Sequence, residues 1–190
     1  IGSNGSGKST LARILCGINK PTEGECIYGE DEKCGYMTQK SYAFYGTVFQ
    51  NVRLGLPAGT HDDKRVEKAI KDVKLDALSK SRAKRLSGGE TSRMSLARVL
   101  VGDYTTLALD EPTASLEVAS TVLAEKLICD YRDSHGSCII LVTHSLSQAQ
   151  RISEKVVFMK DGHIIETGNT ADVLSNPSTE ELREFIDIIG

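Results

Sequence analysis

The sequence predicts an α/β fold with a largely parallel central sheet flanked by helices. Three observations carry this. A glycine-rich loop at residues 2–7 opens directly into a helix-forming stretch, residues 8–16. Two short apolar runs rich in β-formers, residues 105–109 and 138–142, read as strands buried on both faces. A helical stretch, residues 116–132, lies between them and gives the strand–helix–strand rhythm of a parallel crossover.

The remaining elements follow in order. Gly17 is placed to cap the first helix, and Pro21 and Gly24 mark a turn. Short strands are expected at residues 25–28 and 34–37. Residues 62–78 read as a polar, amphipathic helix with Val66, Ala69, Ile70 and Val73 on its apolar face. Residues 87–101 read as a helix N-capped by Ser87. Residues 156–159 and 163–166 flank Asp161-Gly162, a strong hairpin signal, and residues 180–188 form an amphipathic terminal helix. There is no internal repeat, low-complexity segment or linker. The chain is expected to be one domain over residues 1–190, with an inserted helical subdomain at about 50–100 that interrupts the strand–helix rhythm.

The 190 residues suffice for a sizeable core, with 39% hydrophobic and 26% charged residues. A formal net charge of −3 argues against broad electrostatic binding of nucleic acid, which needs a basic face. No apolar run approaches the roughly 20 residues that span a bilayer, and the N-terminus carries no signal-peptide pattern. Cys16, Cys26, Cys34, Cys129 and Cys138 form no C-x-x-C pair or zinc spacing. They are expected to be small buried thiols in a reducing compartment.

Gly2-Ser3-Asn4-Gly5-Ser6-Gly7-Lys8-Ser9 fits G-x-x-x-x-G-K-[ST], the loop of P-loop NTPases. Its glycines let the backbone turn sharply and aim N–H groups at phosphate oxygens, and the following helix adds its positive end. Lys8 would reach the β- and γ-phosphates of ATP, Ser9 would ligate Mg²⁺, and Thr10 would donate to a phosphate oxygen. Only Ile1 precedes Gly2, although such loops are fed by a buried strand. The expectation is an N-terminally truncated chain.

Thr106-Leu107-Ala108-Leu109-Asp110-Glu111 is an apolar strand ending in two carboxylates. Ligands sit at the carboxyl ends of strands in doubly wound sheets. Asp110 suits a role on Mg²⁺, and Glu111 suits orienting or deprotonating an attacking water. Two adjacent carboxylates repel unless a cation is present, so the arrangement itself asks for a metal.

These motifs, with four more in order, resemble the nucleotide-binding subunit of an ABC transporter. Gln39, in Gly35-Tyr36-Met37-Thr38-Gln39, is similar to the family's Q-loop. Leu86-Ser87-Gly88-Gly89-Glu90 resembles the signature motif, and Asp110-Glu111-Pro112-Thr113 the Walker B strand end. Ala114-Ser115-Leu116-Glu117 occupies the D-loop, and Val142-Thr143-His144 looks like the switch histidine after its strand. Gly162 and Gly168 fit the late hairpin.

The resemblance implies an ATPase whose nucleotide is buried between two cassettes. Ser87, Gly88, Gly89 and Glu90 would act in trans on ATP held by a partner's phosphate loop. Gln39 would sense Mg²⁺ and the attacking water, and link them to the helical subdomain. His144 would contact the γ-phosphate and hold Glu111. His61, His135 and His163 are expected to be solvated surface groups. Three departures stand out: Glu90 where glutamine is commoner, Glu117 where aspartate is usual, and no assigned residue to stack on adenine.

The implied function is the ATP-hydrolysing subunit of an importer. Its partners would be a second nucleotide-binding subunit, identical or not, membrane permease subunits and a solute-binding protein, with no nucleic acid. It would sit in the cytoplasm, peripherally on the inner face of the cell membrane. Ser81-Arg82-Ala83-Lys84-Arg85 lacks the Gly-Glu-Arg-Gly-like element of many exporters, and Met159-Lys160-Asp161-Gly162 looks importer-like. Residues 41–52 bear a weak likeness to importers of oxyanions or polar amino acids. Two alternatives are a soluble ABC-type ATPase acting in translation or DNA repair, and a non-catalytic regulatory cassette.

Overall fold

The computed structural model describes residues 1–189, which form two compact units. One joins Ile1–Ile27 to the segment from Ile140 onward, and the other is Tyr28–Ile139. The strand β3 (Cys138–Val142) runs across the boundary in sequence.

In the first unit, α1 (Lys8–Leu15) starts at Gly7, which adopts a left-handed φ of 96°. The helix stops at Gly17, φ 69°, where Gly17 N–H donates to Ile14 and Ile18 N–H to Arg13. This pair of bonds is a Schellman stop with glycine in its preferred place. The antiparallel hairpin β4 (Lys155–Lys160) and β5 (His163–Asn169) turns at Asp161 and Gly162, with φ 50° and 82°. Both values are those of a type I′ turn, as Asp-Gly predicts. α6 (Leu146–Ile152), α7 (Thr170–Ser175) and α8 (Glu180–Ile189) complete the unit. Its core joins Ile1, Ala149, Val156, Phe158, Leu174, Leu182 and Phe185.

In the second unit, β1 (Cys34–Met37) pairs in parallel with β2 (Thr106–Asp110), with Tyr36 opposite Ala108. The sheet order is β1-β2-β3. Its helices are α2 (Val48–Arg53), α3 (Asp63–Asp72), α4 (Gly88–Leu100) and α5 (Val118–His135). Val48, Val52, Val66, Ile70, Val73, Leu75, Met94, Ala97 and Val101 form one core under α2, α3 and α4. Fully burying each of the valine, leucine, isoleucine and methionine side chains stabilises by roughly 1.5–3 kcal/mol.

The structure departs from five sequence expectations. Residues 25–28 are not a strand, and Ile27 is exposed, because no described strand pairs with them. The helix expected at 62–78 breaks after Asp72. Lys74 turns left-handed, φ 57°, and its N–H donates to Lys71 while that of Leu75 donates to Ile70. Lysine is a poor left-handed residue, and burial of Leu75 at 1% exposure offsets that cost. The helix expected from residue 116 begins at Val118, since Leu116 N–H donates to Thr113 in a preceding turn. β3 is only partly buried, as befits a terminal strand in the order β1-β2-β3, and Cys138 is exposed. The cysteines are all free thiols, but none is buried.

Candidate functional site

The phosphate loop belongs to the first unit. Gly2, Gly5 and Gly7 have φ of 144°, 82° and 96°, so the backbone path itself demands glycine. A Cβ on Gly2 would also run into the Met159 carbonyl. The Lys8 ammonium donates to Gly2 O at 2.8 Å, Ser3 O at 2.7 Å and Ser6 Oγ at 3.3 Å. It thus draws the loop around its own side chain. The hairpin tip supports the loop, since Gly162 N–H donates to Ser6 O at 3.2 Å. Ser3, Asn4, Gly5 and Thr10 are exposed, and Ser9 is half-buried. The loop is thus partly open to solvent at the start of α1, and a helix N-terminus favours anions. His144, exposed in the turn between β3 and α6, lies in this same unit.

The second unit holds the remaining candidates. Asp110 ends β2 and is 2% exposed. Its Oδ2 accepts from the Tyr36 hydroxyl at 2.8 Å. Sequence reasoning missed Tyr36, although its place in Gly35-Tyr36-Met37, beside the acidic strand, was the available signal. Glu111 follows at φ 49°, a left-handed conformation that costs a non-glycine residue about 1–3 kcal/mol. Such strain clusters where a side chain must be aimed. Gln39 lies in the loop after β1. Two residues on, Ser41 Oγ donates to Ser92 Oγ of α4 at 3.2 Å, tying the Gln39 loop to the helix that begins at Ser87.

That helix start is a complete capping box. Ser87 Oγ accepts from Glu90 N–H at 3.3 Å, and Glu90 Oε2 accepts from both Ser87 N–H and Ser87 O–H at 2.8 Å. Those bonds, the backbone one first, hold the Glu90 carboxyl below the usual carboxylate range. Gly88 and Gly89 differ from the phosphate-loop glycines. Neither has a positive φ. A Cβ on Gly88 would meet nothing within 4 Å, and one on Gly89 would meet only Ser115 O at 3.6 Å. Among the described residues nothing crowds a side chain at these two positions, where glycine costs helix stability.

Among the described residues no three of His, Cys, Asp and Glu cluster to hold a metal. The Asp110 carboxylate, buried beside the Tyr36 hydroxyl, is nonetheless an oxygen donor of the kind that suits Mg²⁺. This ion is held by one or two protein oxygens, with water and substrate phosphates completing its shell. Aromatic side chains gather elsewhere in this unit. Tyr42, Phe44 and Tyr45 are exposed, and Tyr45, Gly46, Gln50, Arg53 and Leu54 line a concavity of about 700 Å³. His61, His135 and His163 are exposed, as expected.

Comparison with known proteins agrees with this geometry. The family model described as ABC transporter matches residues 1–114. The tungstate uptake system ATP-binding protein TupC of Peptoclostridium acidaminophilum is 35% identical, over 87% of this chain and 82% of its own length. The phosphate import ATP-binding protein PstB 2 of Natronomonas pharaonis is 34% identical, over 98% and 75%. The glycine betaine transport ATP-binding protein OpuAA of Bacillus subtilis is 32% identical over 98% of this chain, which spans 50% of that protein. Among solved structures, the dimeric post-hydrolysis state of the ATP-binding cassette MJ0796, bound to ADP and Pi, matches with a TM-score of 0.79. It is 27% identical, over 89% of this chain and 83% of that one. Family model, relatives and fold agree, and the chain belongs to the ABC transporter family.

Proposed function

We propose that the chain is the ATP-binding and ATP-hydrolysing subunit of an ABC importer, acting as one of a pair of cassettes. Gly2, Ser3, Asn4, Gly5, Ser6, Gly7, Lys8, Ser9 and Thr10 would hold the phosphates of one ATP. Ser87 with the N–H groups of Gly88 and Gly89 would close on the γ-phosphate of the partner's ATP. Glu111 would orient and deprotonate the attacking water, with His144 contacting the γ-phosphate and holding Glu111 in place. Ser9, Gln39 and Asp110 would hold Mg²⁺, which when bound neutralises charge on the β- and γ-phosphates. A ligand that touches both cassettes only when they are closed shifts them toward closure, and product release lets them part.

The observation that carries the shared-site reading is the contrast between the two sets of glycines. Those of the phosphate loop are required by their own backbone, whereas Gly88 has open space beside it and a Cβ on Gly89 would meet only Ser115 O, at ordinary contact distance. Small residues that the chain does not need for itself are explained by an outside group approaching closely. The dimeric relative bound to ADP and Pi supports the same reading.

The exposed rings at Tyr42, Phe44 and Tyr45 suit a permease surface, since soluble proteins seldom expose clustered aromatics without a partner. The Ser41–Ser92 bond would pass motion between Gln39 and the signature helix. No helix among the described residues is long and apolar enough to cross a membrane. In this reading the chain acts peripherally, at the cytoplasmic face, beneath permease subunits supplied by a solute-binding protein. Relatives named for uptake of tungstate and phosphate support import.

The test mixes a Lys8→Ala chain with a Ser87→Arg chain. A mixed pair keeps one intact site, so the mixture should hydrolyse ATP faster than either variant alone. A mixture no more active than its components would overturn the shared site.

A further inference from the structure

Glu90 carries an inference beyond this reading, on which it rests. A phosphate oxygen can only accept hydrogen bonds, so it needs the Ser87 hydroxyl proton and the neighbouring N–H groups. In the free chain the serine's own donors are engaged. The Ser87 O–H and N–H both point at Glu90 Oε2, each at 2.8 Å. The Ser87 Oγ lone pair is taken as well, by Glu90 N–H at 3.3 Å. Thr91 Oγ1 donates to Ser87 O at 2.9 Å and pins the serine backbone from the other side. Serine is thus held by an anion, in the place where an anion is to bind.

We propose that Glu90 is an internal competitor of the partner's nucleotide: its carboxylate occupies the Ser87 donors in the free chain and must yield them before two cassettes can close on ATP. Two consequences follow. Closing exchanges one acceptor for another at Ser87 rather than adding a new bond, so the serine contributes less to pairing. The displaced carboxylate also stays next to a phosphate of like sign, and that repulsion opposes closure. Arg93, three residues along α4, tempers the charge but is itself engaged, its Nη1 donating to Ser120 Oγ at 3.0 Å. A neutral side chain of the same shape would keep the cap through its carbonyl oxygen without the charge. Glu90 therefore sets a higher nucleotide threshold for pairing and a faster release afterwards. It is a positioning residue acting through Ser87, and it weakens the closed state by design of its charge.

The experiment measures pairing by sedimentation, with Mg²⁺ and a β,γ-imido analogue of ATP, for the wild-type chain, Glu90→Gln and Ser87→Arg. Glu90→Gln should pair about tenfold more tightly at low salt, a change expected for removing one like-charge contact in a partly exposed site. Its advantage should shrink as ionic strength rises, because exposed charges are screened over about 10 Å at 0.1 M. A purely structural role in capping would show neither the tightening nor its salt dependence. Equal or weaker pairing of Glu90→Gln, with Ser87→Arg unable to pair, overturns the proposal and leaves the shared site standing. Pairing of Ser87→Arg as in the wild type, or no nucleotide-driven pairing of any form, overturns the shared site itself.

Discussion

Tyr36 of β1 donates its hydroxyl to the Asp110 carboxylate at the end of β2, over 2.8 Å. The parallel register that sets Tyr36 opposite Ala108 brings the ring alongside the last turn of the pleat before Asp110. Asp110 is 2% exposed, so loss of this donor leaves a buried charge undercompensated. Tyr36→Phe should lower the stability of the ligand-free chain by about 1.5–3 kcal/mol, the range for hydrogen bonds to charged groups. Mg²⁺ with ATP should recover much of that loss, because a bound cation replaces the donor. Urea denaturation with and without Mg-ATP checks this. An equal loss in both conditions would make Tyr36 a structural residue with no link to the metal.

Gly88 separates stability from function. It opens α4 without a positive φ and with nothing near its missing side chain. Gly88→Ala should therefore stabilise the isolated chain by about 0.5 kcal/mol, through reduced freedom of the unfolded state. The same methyl group should abolish nucleotide-driven pairing, since it stands where the partner's phosphate would approach. Thermal melts and sedimentation of one sample read both effects. A methyl tolerated in pairing would argue against close approach at this position.

Much of the fold and of the phosphate loop is legible in the sequence, because local rules decide them. Asp161-Gly162 turns as its dipeptide requires, Gly17 stops α1, and Ser87 caps α4. Other features depend on distant residues. Lysine at position 74 carries no stop signal, and the helix ends there because Leu75 is drawn into the core. α2 is only six residues long, too short for a periodic pattern, although Thr47 and Gln50 form a capping box that was open to reading. The cysteines sit beside apolar neighbours in sequence yet remain partly exposed, because adjacency along the chain is not adjacency to a core. Glu90 shows both limits. Its departure from the commoner glutamine is visible in the sequence, but its grip on Ser87 appears only in three dimensions.

Arg98 organises the loop that carries the exposed aromatics. Its Nε donates to Asn51 O at 3.0 Å, and its Nη2 reaches Tyr42 O at 2.9 Å and Asn51 Oδ1 at 2.8 Å. The guanidinium also lies 4.6 Å from the Phe44 ring centroid, and burial pushes its pKa down. Lysine cannot reproduce this planar fork. Arg98→Lys should cost about 1.5–3 kcal/mol in stability. It should also speed hydrogen exchange at Phe44 N–H, whose acceptor is Asn51 Oδ1 at 2.8 Å. Unchanged protection at Phe44 would show that Asn51 holds the loop without Arg98.

Glu166 gives the first unit a dependence on pH. Its carboxylate accepts from Ser178 N–H at 2.9 Å, Thr179 N–H at 3.0 Å and Thr179 Oγ1 at 2.7 Å, at the approach to α8. The Ser178 backbone bond is the largest cause holding its pKa below the ordinary 4.5. A depressed folded pKa stabilises above the unfolded value and loses that contribution as pH falls through the folded one. Glu166 should therefore support α8 fully at neutral pH and release it in acid, below about 4.5. α8 brings Leu182 and Phe185 into the core, with Phe185 5.1 Å from Phe158, so release exposes apolar surface. Glu166→Gln should lower stability at pH 7, because the amide keeps an acceptor oxygen but loses the charge that strengthens these bonds. The difference between wild type and variant should vanish as the pH drops below 4.5, since protonation removes the same charge. Denaturation midpoints across that range check it, and a gap that persists in acid would assign the loss to packing rather than to charge.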